Sequence, residues 1–102
     1  MQFDVYINPI PAARRAYPFV VAMQSEFANA SDQIIAPIVL RENILRGAGR
    51  LMPVVALQGA DYVVLVPRLT VIRSRDLQEK VSSIASARAP LLAAIDYLFF
   101  GV

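Results

Sequence analysis

The stretch Leu91-Leu92-Ala93-Ala94-Ile95-Asp96-Tyr97-Leu98-Phe99-Phe100-Gly101-Val102 carries the clearest helical period in this sequence. At about 100° per residue, Leu91, Ile95, Leu98 and the projected Val102 fall within an arc of roughly 60°. Leu92 and Phe99 widen that arc on one side and Ala94 on the other, which makes an apolar face suited to lie on a core. Leu91, Ile95 and Leu98 are therefore the expected anchors. Pro90 suits a first turn, where its missing N–H is not needed, and a helix is expected over 89–100. Phe100 lies about 180° from Leu91 and shares the opposite face with Ala89, Ala93 and Asp96. A large aromatic there has two readings. Its ring tucks against a neighbouring loop or a second protomer, or it is a partner-binding tip.

Everything before this helix reads as short strands. Residues 2–8 alternate, with Phe3, Val5 and Ile7 on one face and Gln2, Asp4, Tyr6 and Asn8 on the other. Pro9 and Pro11 end that strand, and Ala12 to Ala16 form a loop whose Arg14-Arg15 pair reads as solvated. Tyr17 to Gln24 is a second strand. Phe19, Val21 and Met23 share one face, but Val20 and Ala22 are apolar too, so cover on both sides is expected. Ser25 to Ser31 is a polar turn region. Asp32 to Leu40 is a third strand, and Pro37 within it predicts an edge or a bulge. Arg41 to Arg50 reads as a loop, with a helical turn open at Arg41–Arg46. Met52–Gln58 and Tyr62–Val66 flank Gly59-Ala60-Asp61 and predict a hairpin. Pro67-Arg68 is a corner, and Leu69–Arg73 reads as the last strand. Asp76–Ser86 has Leu77, Val81 and Ile84 at helical spacing and reads as a weak helix or an irregular connection. The expected fold is mainly β (α+β): a small antiparallel barrel of five to six strands with a C-terminal α-helix.

The 102 residues are expected to form one domain, 1–102, with a core that needs no staples. The apolar fraction of 57% exceeds the roughly 45–50% of an average globular chain, and a homodimer is expected to hide part of the excess. Cys and His are both absent, which removes disulfides, thiol nucleophiles and the commonest general base and metal ligand. Paired carboxylates, a phosphate-cradling glycine loop and a nucleophile elbow are also missing. No enzyme activity, cofactor or metal is expected. A net charge of +2, with nine of ten basic residues Arg, is too mild for direct nucleic-acid binding and favours forked contacts to protein carboxylates. Neither a signal peptide nor an apolar run of the ~18 residues that span a membrane is present, and a cytoplasmic location is expected.

Met1-Gln2-Phe3-Asp4-Val5-Tyr6, Gln24-Ser25, Met52-Pro53-Val54-Val55 and the run from Ala94 to Val102 resemble the CcdB toxins of bacterial toxin–antitoxin pairs. The two ends are the specific part, and the middle agrees mainly in apolar pattern. The resemblance implies an SH3-like barrel with a C-terminal helix, paired into a homodimer. It implies a poison that binds the DNA gyrase A protein and traps gyrase on cleaved DNA, and a CcdA-type antitoxin whose disordered arm folds onto the toxin. It also implies that gyrase is bound by Phe100, Gly101 and Val102. The family has Trp where this chain has Phe100. Phe keeps a π-face, but the loss in stacking, of the order of 0.5–1.5 kcal/mol, corresponds to roughly 2- to 13-fold weaker poisoning. The Pro9-Ile10-Pro11 segment is longer and richer in proline than the family's loop, which helps form the antitoxin surface. The alternative reading is a non-toxic CcdB-like structural dimer that no longer poisons gyrase.

Overall fold

A computed structural model of the chain describes residues 1–25, 31–44 and 49–102. Among the described residues, seven strands precede one helix: β1 (Asp4–Ile7), β2 (Phe19–Ala22), β3 (Asp32–Leu40), β4 (Val54–Leu57), β5 (Ala60–Val64), β6 (Thr70–Arg73), β7 (Lys80–Ser83) and α1 (Arg88–Phe100). All strand pairs are antiparallel. The sheet runs β4-β5-β3-β2-β1-β7, and β6 also pairs with β3. It curls into a half-barrel, and α1 packs on the short 3-10 turns Val66–Arg68 and Ala85–Ala87. The result is an α+β fold, mainly β, of the architecture the sequence predicts, with one more strand than its upper count.

The extra strand is β7. Leu77, Val81 and Ile84 have helical spacing, yet the chain between Lys80 and Ser83 is extended and pairs with β1, Asp4 opposite Ser83 and Val5 opposite Ser82. The outer edge of β1 needs backbone partners, and an isolated helix this short has little stability of its own. The ladder therefore prevails over the local period. A register shift between Val5 and Tyr6 bends β1 where the sheet curls.

Pro37 corrects a second expectation. β3 is a central strand: Phe19–Ala22 of β2 pair along one side, while β6 and β5 share the other. β6 pairs as far as Ile35 and β5 starts at Ile38, so Pro37 falls where the partner strand changes. Its carbonyl accepts from the Leu65 N–H at 2.9 Å. The proline's missing donor thus falls at a gap between two ladders.

The hairpin connection is shorter than Gly59-Ala60-Asp61. Leu57 pairs with Ala60, leaving Gln58 and Gly59 as a two-residue turn with φ of 52° and 81°. Positive φ at both positions is the signature of the tight turn that matches strand twist. Gly59→Ala is expected to lower stability by about 1–2 kcal/mol, the cost of a side chain in the left-handed region. An unchanged urea midpoint would contradict this.

The main core joins Phe3, Val5, Phe19, Val21, Ile38, Val55, Leu57, Val64 and Val66 to Leu91 and Ala94 of α1. A second cluster, Val39, Val63 and Leu65, lies beneath Tyr17, Ile44 and Met52. β3 and β5 therefore bury residues on both faces, and every residue of β2 is buried, as its unbroken apolar run predicts. Phe3 holds φ at 68°, a strained value for a non-glycine residue. Its buried ring, its N–H to Ala22 O (2.6 Å) and its carbonyl contact from Ile84 N–H (2.9 Å) hold it there.

Two polar residues expected on the outer face of a strand over residues 2–8 are buried. The Asp4 carboxylate meets the Met1 ammonium at 3.0 Å and the Lys80 ammonium at 3.3 Å. The Asn8 amide donates to Tyr17 O (2.8 Å) and accepts from the Ile10 N–H (2.9 Å). Burial is tolerated because both groups are paired. Asp4→Asn keeps the shape and sets an amide donor against ammonium donors. It should cost about 1–3 kcal/mol, read as a lowered thermal midpoint. A midpoint equal to the parent's would show that the pairing contributes nothing.

Arg41–Asn43 makes one 3-10 turn, inside the segment for which the sequence leaves a helical turn open. The expectations for residues 26–30 and 45–48 lie outside the described residues.

Candidate partner-binding tip

α1 begins at Arg88 after the Ala85–Ala87 turn, with Pro90 in its first turn. Leu91 and Ala94 are fully buried, and Leu92, Ile95 and Leu98 pack partly buried against the same core. The deepest line thus runs toward Ala94, the small edge of the apolar arc, because a small side chain lets the helix approach the curled sheet.

At its other end α1 is capped by Gly101, with φ 75° and ψ 13°, whose N–H donates to Tyr97 O at 3.0 Å. This left-handed cap stops the helix and turns the chain away from its axis. A Cβ at Gly101 would meet nothing within 4 Å, so the backbone angle alone calls for glycine. Around this cap the side chains are open: Phe99 is 63% exposed, Phe100 75% and Val102 78%. Phe100 is therefore not tucked against a loop of its own chain. Phe99 departs from expectation. The wheel sets it at the margin of the core face, yet its side chain is open.

A contact invisible in the sequence lies beside the tip. The Arg50 guanidinium stacks over the Tyr97 ring, 4.2 Å from its centre. The residues are 47 positions apart (97 − 50), and no spacing rule joins them. A groove of about 760 Å³ is lined by Ala12, Arg15, Tyr17, Ile44, Met52 and Arg68. Arg68 donates to the Tyr17 hydroxyl at 3.0 Å and so sets one wall. Arg15, read as a solvated loop residue, is part of this lining.

Among the described residues, no group of three or more Asp or Glu could hold a metal ion, and no helix is long and apolar enough to cross a membrane. Large apolar side chains left exposed on a capped helix end are the kind of surface that interaction sites use.

The sequence matches the CcdB protein family over residues 2–101, and the chain belongs to that family. Its members are the gyrase-poisoning toxins of the CcdA/CcdB system, and they act without enzymatic chemistry. The family's partners are gyrase A and the CcdA antitoxin. No curated protein matches the sequence.

Proposed function

We propose that this chain is an active gyrase poison that engages gyrase A through Phe100, Gly101 and Val102 and traps the gyrase–DNA cleavage complex. The observation that carries this reading is the exposure of Phe100 at the end of a capped helix. An exposed aromatic that fills a partner pocket contributes a large share of binding energy, and Gly101 fixes the direction in which it is offered. The Trp-to-Phe departure lowers the strength of stacking without removing it.

The working form is a homodimer of single 1–102 domains. Two tips brought together would meet a two-fold symmetric target. The exposed Ile34, Val54 and Val71 support pairing. Gyrase acts on the bacterial chromosome, and a cytoplasmic toxin follows from that partner. The antitoxin arm has a suitable seat in the groove beside Tyr17, whose walls include the first-loop residues Ala12 and Arg15. Its apolar floor and Arg rim suit an acidic, partly apolar segment.

Induced expression without antitoxin in a gyrase-sensitive bacterium tests the reading. Growth arrest that antitoxin co-expression relieves is the expected result. Normal growth alongside abundant folded protein would overturn it and favour a non-toxic dimer.

A further inference from the structure

The last turn of α1 has little core beneath it. Leu91 and Ala94 are buried earlier in the helix, whereas Phe99 and Phe100 point into solvent and Leu98 is only partly covered. Helix ends with so few anchors fray. Tyr97 is the residue whose carbonyl accepts the capping Gly101 N–H, and its ring lies under the Arg50 guanidinium at 4.2 Å. Arg50 itself sits in a turn that leads into the sheet. Gly49, with φ 63°, opens a turn closed by the Met52 N–H to Gly49 O at 3.4 Å. Pro53 follows, buried, with its carbonyl accepting from the Val64 N–H at 3.0 Å, and leads into β4. One end of the stack is thus tied to the sheet and the other to the peptide group that terminates the helix.

We propose that Arg50 is a positioning residue for the C-terminal tip: by clamping the Tyr97 ring it holds the final helical turn and sets the direction of Phe100. The proposal rests on the reading of that tip as the gyrase-binding element. Arg50 need not touch gyrase. Its planar guanidinium covers the ring face, a fit that the compact ammonium of lysine reproduces poorly.

The test uses the full-length chain and four variants: Arg50→Ala, Arg50→Lys, Tyr97→Phe and Tyr97→Leu, with Arg50→Ala/Tyr97→Leu as the double variant. Native-state hydrogen exchange of the Phe100 and Gly101 amides is measured beside the thermal midpoint and the inhibition of gyrase supercoiling. Arg50→Ala and Tyr97→Leu should each speed exchange at these amides by about two- to fivefold. Inhibition should weaken by a similar factor while exchange in β3 is unaffected. Tyr97→Phe, which keeps the ring, should behave as the parent, and Arg50→Lys should fall between. The double variant should lose no more than the larger single loss, because both remove one interaction. Parental exchange at Gly101 in Arg50→Ala would overturn the proposal, as would full addition of the two single effects, or faster exchange with unchanged inhibition. A parent protein that does not inhibit gyrase would overturn the functional reading alone, and the exchange data would then decide the clamp.

Discussion

Phe100→Ala is expected to weaken gyrase inhibition about 30-fold or more and to leave the fold intact. The first half follows from the energetics of anchors: truncating a central aromatic in an interface costs about 2 kcal/mol or more, and 1.4 kcal/mol is tenfold. The second follows from exposure. Three quarters of the Phe100 surface is open in the free chain, so its removal deletes almost no packing. Surface changes of this kind stay within about ±0.5 kcal/mol of stability. The reverse substitution has its own sign. Phe100→Trp restores a larger and more electron-rich face and should strengthen inhibition by roughly 2- to 13-fold. A dose–response of supercoiling inhibition for the three proteins, with their denaturation curves, checks both halves. Equal potency for the parent and Phe100→Ala would show that the ring contributes nothing to binding.

Leu91→Ala should do the opposite: damage the fold first. Leu91 is fully buried where α1 meets the curled sheet, with Ala94 one turn on. Removing its side chain loses the transfer free energy and leaves a cavity that the rigid sheet closes poorly, about 2–5 kcal/mol in sum. Against a total stability of about 5–15 kcal/mol this is a large share. For a chain of this size it corresponds to a fall in thermal midpoint on the order of 10–20 °C. Any loss of toxicity in this variant would track the folded fraction. A midpoint within a few degrees of the parent would mean that α1 is not held down at Leu91.

The elements with a strong local signal were legible in the sequence. β3 begins and ends at the expected residues, Asp32 and Leu40, because its apolar run is long and its flanking residues, Ser31 and Arg41, are polar. The helix at the C-terminus starts one residue before the expected position, since its period and Pro90 agree. The β4–β5 hairpin was legible as a pair, although its turn closes at Gln58-Gly59. Features that depend on distant chain were not. β7 is a strand because β1 has an edge to fill, and nothing between Lys80 and Ser83 announces that. Pro37 is central because β5 and β6 divide its neighbour's place between them. Asp4 is buried because Lys80 and the Met1 ammonium reach it, and alternation alone sends it to solvent. At the tip, the wheel sets Phe100 opposite the core face and so predicts a ring that is free or partnered. It misjudges Phe99, which it sets at the margin of the core face and which is exposed. Arg50 over Tyr97 joins two segments with no pattern between them.

On this reading the last three residues turn a stable half-barrel into a poison. The most direct measurement is a gyrase cleavage assay on two purified proteins, the parent chain and one ending at Phe99, with circular dichroism to show that both are folded. The parent is expected to accumulate cleaved DNA, and the shortened chain, equally folded, is not. Cleavage complexes at the same level with both proteins would contradict a poisoning role for the tip.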